Sequence, residues 1–406
     1  MKRRVFWIVL DSLGIGAAPD ADQFFQSEGG NDVGANTLGH IIDVTQGLKA
    51  PFLQSLGLAN TLVTQENPEG NRFWAPVASP LASYGRMAEV SAGKDTSSGH
   101  WELAGCPVPY LMPVYYEGLP KELLDEFIAR VNKEGIVLEG ILGKGKAASG
   151  TEIIKELGEE HVKTGKLIIY TSMDSVFQIA AHEEVFGLEN LYKVCQIARN
   201  LLNEKEDKIG RVIARPFVGS TKHDFVRTAN RKDYSLEPLG KTVLDAIKEK
   251  GLDVIGVGKI GDIFAHKGLT QELKSKSNAQ GMSVMTELAL LNDWQGLAFV
   301  NLVDFDMLYG HRRDPQGYRK ALEDADELMP RFFELLQEGD LLIVTADHGC
   351  DPTYNSTDHT REYVPILMYA KHKPAVNLGT RKTFSDVAAT IANYLDVDYD
   401  CKGTIL

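Results

Sequence analysis

The run VFWIVL at residues 5–10 is apolar at every position, with none of the alternation shown by a strand that has one wet face. Strands covered on both faces read this way, and they occur where helices pack on each side of a parallel sheet. Similar runs return late in the chain as DVIGVGK (253–259), LAFVNLVDFD (297–306) and DLLIVTADHG (340–349), with YVPILMYA (363–370) as a fourth. Helical patterns alternate with them. Residues 241–250 precede the first, and residues 315–337 place Leu322, Ala325, Leu328, Met329, Phe332 and Leu336 on one face. Thr383, with Asp386 three residues on, has the spacing of a capping box for a last helix. This rhythm predicts an α/β fold, an open and mostly parallel sheet flanked by helices.

The middle of the chain breaks the rhythm. From Tyr110 to His223 it has strands of its own (KLIIYTS, RVIARPFVG) and helices of its own (LPKELLDEFIARVN, GLENLYKVCQIARNLL), and the sheet pattern resumes afterwards. The expected organisation is a core in two segments, 1–108 and 224–406, with an α/β domain inserted at 109–223.

Composition limits the rest. At 406 residues and 43% hydrophobic content the chain is long enough for more than one domain. A net charge of −13 argues against nonspecific nucleic-acid binding, which needs a cationic surface. The basic start MKRR before an apolar stretch imitates a signal peptide, but Asp11 ends that stretch after six residues, and no run reaches the length of a membrane helix. Cys106, Cys195, Cys350 and Cys401 lie far apart with no CxxC pair, so a cytoplasmic protein is expected.

Ligands of open α/β sheets gather at the carboxyl ends of the strands, and there this chain puts its acids and imidazoles. Asp11 follows the first strand. Asp304 and Asp306 end the LAFVNLV strand, with His311 five residues beyond Asp306. Asp347 and His348 end the LLIVTA strand, and His359 closes the stretch TADHGCDPTYNSTDH. Burying so many titratable groups without compensation would cost several kcal/mol each, so cations are expected among them. Mixed carboxylate and imidazole donors in this number suffice for two divalent ions. A second stretch, SAGKDTSSGHWE (91–102), is small, polar and glycine-rich. Coordination to a cation can activate the Thr96 hydroxyl as a nucleophile, with Ser91, Asp95, Ser97 and Ser98 as competitors.

The succession DSLGIG, GKDTSSGHWE, DFDMLYGH, ADHG and DHTRE resembles the phosphopentomutases of the alkaline phosphatase superfamily over nearly the whole chain. ADHG alone marks the superfamily, which includes phosphoglycerate mutases, phosphatases and sulfatases. GKDT with GHWE, and YTSMDSVFQIAAHE in the insert, are more specific. The resemblance implies an alkaline-phosphatase-like core and a cap closing over the metal site. It assigns Asp11, Asp347 and His348 to one metal, Asp306, His311 and His359 to the other, and a phosphorylated nucleophile to Thr96. Asp304 matches no ligand. Ser172 and Asp174 correspond to sugar-binding positions, and Arg211, Arg227 and Lys259 to phosphate-binding positions. It further implies Mn²⁺, a sugar bisphosphate primer and pentose monophosphate substrates, ribose or 2-deoxyribose, with no nucleic-acid or membrane partner. Oligomeric state does not follow. The alternatives are a metal-dependent phosphomonoesterase or phosphoglycerate mutase on the same core, and a silent metal-stabilised binding protein.

Overall fold

The computed structural model describes every residue except Met1, Glu66, Tyr116, Met173, Asp174 and Asp207. The chain divides into two compact units, residues 1–109 with 238–406, and the inserted Tyr110–Glu237.

In the first unit, strands β1 (Arg4–Leu10) and β2 (Ser83–Met87) precede the insert. The insert carries β3 (Ile141–Leu142), β4 (Leu167–Tyr170), β5 (Val176–His182), β6 (Arg211–Val218), β7 (Val226–Arg227) and β8 (Lys232–Ser235). The chain then returns with β9 (Asp253–Val257), β10 (Gln271–Leu273), β11 (Gly296–Leu302), β12 (Asp340–Thr345), β13 (Val364–Ala370) and β14 (Asn377–Arg381). The core sheet has eight strands in the order β10-β9-β11-β1-β12-β13-β2-β14. The first five run parallel, whereas β13 is antiparallel to both its neighbours. All seven residues of β1 are buried, Val5–Leu10 as the unbroken apolar run requires of a strand between two parallel neighbours and Arg4 paired with buried Asp340.

Asp11 directly follows β1, and Asp347 and His348 follow β12. Because β1, β11 and β12 are parallel neighbours, their carboxyl ends open on one edge of the sheet. Two details of the helices differ from the spacing. Leu328 is 38% exposed at the margin of the stripe on the Pro315–Glu334 helix, while Leu322, Ala325, Met329 and Phe332 are buried. Thr383 does not cap the last helix, Asp386–Leu395. Its hydroxyl donates to Glu102, and the Asp386 carboxylate is taken by Arg381 and Thr404. The capping box lies instead at Thr242 and Asp245, ahead of the Val243–Glu249 helix.

The insert folds around a sheet of its own, β3-β4-β5-β6-β7, with β8 also pairing to β6. Leu167 and Ile169 face a cluster with Phe127, Val194 and Ala198, while Ile168 and Tyr170 face Ile153, Ile154 and Phe217 on the other side. This is the two-residue alternation of a strand between two helix layers. The insert continues beyond residue 223 to Glu237, because β7 and β8 add antiparallel to β6. No helix among the described residues is long and apolar enough to cross a membrane.

Candidate metal centre

The turn Phe305–Gly310 after β11 carries Asp306 inward and ends beside His311. Asp304, two residues earlier, points elsewhere and accepts the Asn278 N–H at 2.7 Å, at the start of the Asn278–Leu290 helix. β12 ends at Thr345, so Asp347 and His348 lie where the strict alternation of a strand no longer separates their side chains.

Two donor clusters result. In one, His348 Nε2 is 3.2 Å from Asp347 Oδ2 and 3.5 Å from Asp11 Oδ1. In the other, Asp306, His311 and His359 form a triangle. His311 Nε2 is 3.2 Å from Asp306 Oδ2 and 3.2 Å from His359 Nε2, and His359 Nε2 is 3.3 Å from Asp306 Oδ1. The stacked His348 and His359 rings, 3.8 Å apart, join the clusters. Asp306 also lies within reach of His348 with His359, and of His311 with Cys350, a thiol that spacing did not single out.

These residues fit divalent cations on two counts. Asp11 Oδ1, Asp306 Oδ1 and Asp347 Oδ2 are buried without a well-directed hydrogen bond, which leaves carboxylate lone pairs facing the clusters. Each histidine also turns Nδ1 to a backbone carbonyl: His311 to Thr357, His348 to Gly349 and His359 to Lys94. A carbonyl only accepts, so Nδ1 keeps its hydrogen and Nε2 presents its lone pair, the orientation a metal-ligating imidazole needs.

The protonation balance agrees. Burial, reinforced by Asp347 and Asp306, pushes the Asp11 carboxyl up to about 7. Burial lowers the basicity of His348, but Asp347 outweighs it and raises that imidazole to about 10. Burial opposes ionisation of Asp347 too, yet His348 and His100 hold it well below the carboxylate range. Without cations, protons must balance the buried carboxylates, and cations would displace them.

Thr96 opens the helix Thr96–Leu103, and its Oγ1 lies 3.3 Å from His348 Nε2. Of its competitors, Ser91, Asp95 and Ser98 have their side chains otherwise engaged. Ser91 donates to Glu102, and Ser98 donates to Asp95, whose other oxygen accepts the Ser97 and Ser98 N–H groups as the N-cap. His100, buried one turn on, ties Thr96 O to Asp347 and faces Asn301, which donates to Asp11 at 2.9 Å. Lys259, two residues beyond the end of β9, lies close enough for its charge to favour ionised Asp11.

The remaining sequence-predicted residues lie in the insert. Ser172 is partly buried after β4, and Asp174 lies outside the described residues. Arg211 begins β6 and Arg227 pairs opposite Phe217, so their backbones are roughly 20 Å apart along the strand. Arg215, which motif spacing did not single out, donates to Gln178 and lies with Arg227 in the electrostatic field of the buried Tyr170 hydroxyl.

The family model of the metalloenzyme superfamily matches residues 3–399. A phosphopentomutase of Caldanaerobacter subterraneus subsp. tengcongensis is 53% identical over 398 residues, 98% of this chain and 95% of that protein. The chain belongs to the phosphopentomutase family. Relatives of the same name from Alkaliphilus metalliredigens and Symbiobacterium thermophilum are 50% and 52% identical, over 98% and 97% of this chain and 96% and 95% of theirs. The family is one of isomerases, intramolecular phosphotransferases on an alkaline-phosphatase-like metalloenzyme fold, and the two donor clusters suit its divalent metals.

Proposed function

We propose that this protein interconverts ribose 1-phosphate and ribose 5-phosphate, and the 2-deoxy pair likewise, through phosphate carried on Thr96. The observation that carries the reading is the placement of the Thr96 hydroxyl 3.3 Å from His348, at a helix N-terminus and beside both donor clusters. Phospho-Thr96 gives its phosphoryl group to the free hydroxyl of a pentose monophosphate, and the resulting 1,5-bisphosphate returns its other phosphoryl group to Thr96. No net hydrolysis occurs.

Asp11, Asp347 and His348 would hold one cation and Asp306, His311 and His359 the other, supplying positive charge for the nucleophilic and transferred oxygens. Carboxylate and imidazole donors are compatible with Mn²⁺. Ser172, Asp174, Arg211, Arg227 and Lys259 are proposed to bind the sugar phosphate, a sugar bisphosphate to prime Thr96, and the cytoplasm to be the site of action.

The test is to incubate Mn²⁺-loaded protein with ribose 5-phosphate and a catalytic amount of a sugar bisphosphate, and to follow products by phosphorus NMR. Ribose 1-phosphate should appear without equivalent inorganic phosphate, and intact mass should show one phosphate on wild type and none on Thr96→Ala. Stoichiometric release of phosphate would make the protein a phosphomonoesterase, and phosphate on Ser97 or Ser98 would overturn the nucleophile.

A further inference from the structure

Arg361 lies two residues beyond His359 and is 2% exposed, an unusual place for a guanidinium unless all its donors are used. Nε and Nη2 grip Asp20 at 3.1 and 2.9 Å. Nη1 bonds Glu89 Oε2 at 2.7 Å, and Nη2 bonds the Glu89 carbonyl at 2.8 Å. Nη1 also donates to the carbonyl of Gly93 at 2.7 Å, and the cation lies 4.4 Å from the Phe24 ring. Thus all five N–H donors have acceptors, two of them backbone carbonyls on the approach to Thr96.

The same two segments are laced together beside it. His359 Nδ1 donates to the carbonyl of Lys94 at 3.1 Å, and the Lys94 ammonium pairs with Asp32 at 2.8 Å. Asp32 also accepts the backbone N–H of Arg361 at 2.8 Å. Gly93 and Lys94 are therefore pinned to Arg361 and His359, and Thr96 follows two residues later.

We propose that Arg361 is a positioning residue for phosphoryl transfer: it fixes the loop carrying Thr96 against the segment carrying His359, so that the threonine hydroxyl is held in line with the donor clusters. The inference rests on the reading of Thr96 as nucleophile. It assigns the guanidinium shape a role that its charge alone does not fill. Charge balance for Asp20 and Glu89 asks only for a cation, whereas reaching two carboxylates and two carbonyls at once asks for a planar fork with five donors.

The substitution Arg361→Lys separates these demands, since it keeps the charge and loses the fork. Metal content should stay near wild type, the urea unfolding midpoint should fall only as far as the unmet buried acceptors require while the protein stays fully folded under assay conditions, and KM for ribose 5-phosphate should change little. The value of kcat should fall roughly ten- to hundredfold, as expected for an ångström-scale misplacement of a reacting group. The fraction of phosphoryl groups lost to water, read as inorganic phosphate per turnover, should rise. In Arg361→Ala, added guanidinium should restore part of kcat and of Thr96 phosphorylation by intact mass, where ammonium does not. Arg361→Lys with wild-type kcat overturns the proposal, as does a loss of kcat that merely tracks lost metal or lost stability. Wild type that takes no phosphate on Thr96 overturns the reading of the nucleophile as well. Wild type phosphorylated there but matched in every respect by Arg361→Lys overturns this inference alone.

Discussion

Gly99 sits one turn into the Thr96–Leu103 helix, against the loop that holds Asp347 and His348. A Cβ there would lie 2.0 Å from the Asp347 carbonyl oxygen, 2.8 Å from its carbon and 3.1 Å from the Asp347 Cβ. Ordinary contact needs about 3.5 Å, so helix and loop must part by roughly 1 Å or more. Neither can yield by turning a flexible side chain, because the atoms met first are backbone. Gly99→Ala therefore sets two effects of opposite sign against each other. Alanine inside a helix is worth about 1 kcal/mol over glycine, whereas forcing a methyl group into a filled space costs typically about 1 to 3 kcal/mol. A clash with backbone at such short range belongs at the upper end, so net destabilisation of about 1 to 2 kcal/mol is expected. The functional effect should be larger, since the helix carries Thr96 and the loop carries His348. Displacing one from the other by an ångström can cost about a hundredfold in rate. Urea unfolding gives the first quantity and ribose 5-phosphate turnover with saturating Mn²⁺ gives the second. If Gly99→Ala unfolds at higher urea than wild type and turns over normally, the close approach of helix and metal loop is refuted.

Removing a ligand should cost a metal. His359→Ala leaves Asp306 and His311 short of a partner, so it should lose one metal equivalent by elemental analysis and most of its activity; full activity with both equivalents would remove His359 from the set. Asp306→Asn should lose far more activity than Asp304→Asn, whose side chain serves the Asn278 N–H and costs at most about 1 kcal/mol of helix capping; equal losses would contradict this register of the DFD motif. The Asp351 hydrogen bond raises the pKa of His40 above its ordinary 6.5 against the opposing effect of burial, so the folded protein holds that proton more tightly than the unfolded chain. Its stabilisation is full below pH 6.5 and fades as pH rises through the folded value. The stability deficit of His40→Ala in urea should accordingly shrink from pH 6 to pH 9, and a deficit that grows would reverse the assignment.

The features legible in the sequence were those governed by local rules. An unbroken apolar run is a buried strand wherever it occurs, and parallel strands share a carboxyl end, so acids and imidazoles placed after VFWIVL, LAFVNLV and LLIVTA had to converge. The end of the insert was not legible, because β7 and β8 are two and four residues long, partly exposed and without an apolar run. They exist because β6 offers them an edge, which is a property of the partner. Thr383 failed as a cap for a similar reason: its spacing to Asp386 is right, but Glu102, far away in sequence, takes its hydroxyl.

Arg361 carries this limit furthest. In the sequence it is one arginine among many, and a charged side chain chosen at random lies in water. Its burial is possible only because Asp20 comes from one distant stretch of chain and Glu89 and the Gly93 carbonyl from another. Removing a guanidinium from water costs several kcal/mol unless each donor is met, so no one of those segments could justify the burial by itself. A ligand such as Asp347 can be inferred one strand at a time, because the strand end already fixes where it lies. A residue that holds two loops in register is defined by both loops together, and its signature is a complete set of acceptors assembled from places that the sequence does not connect.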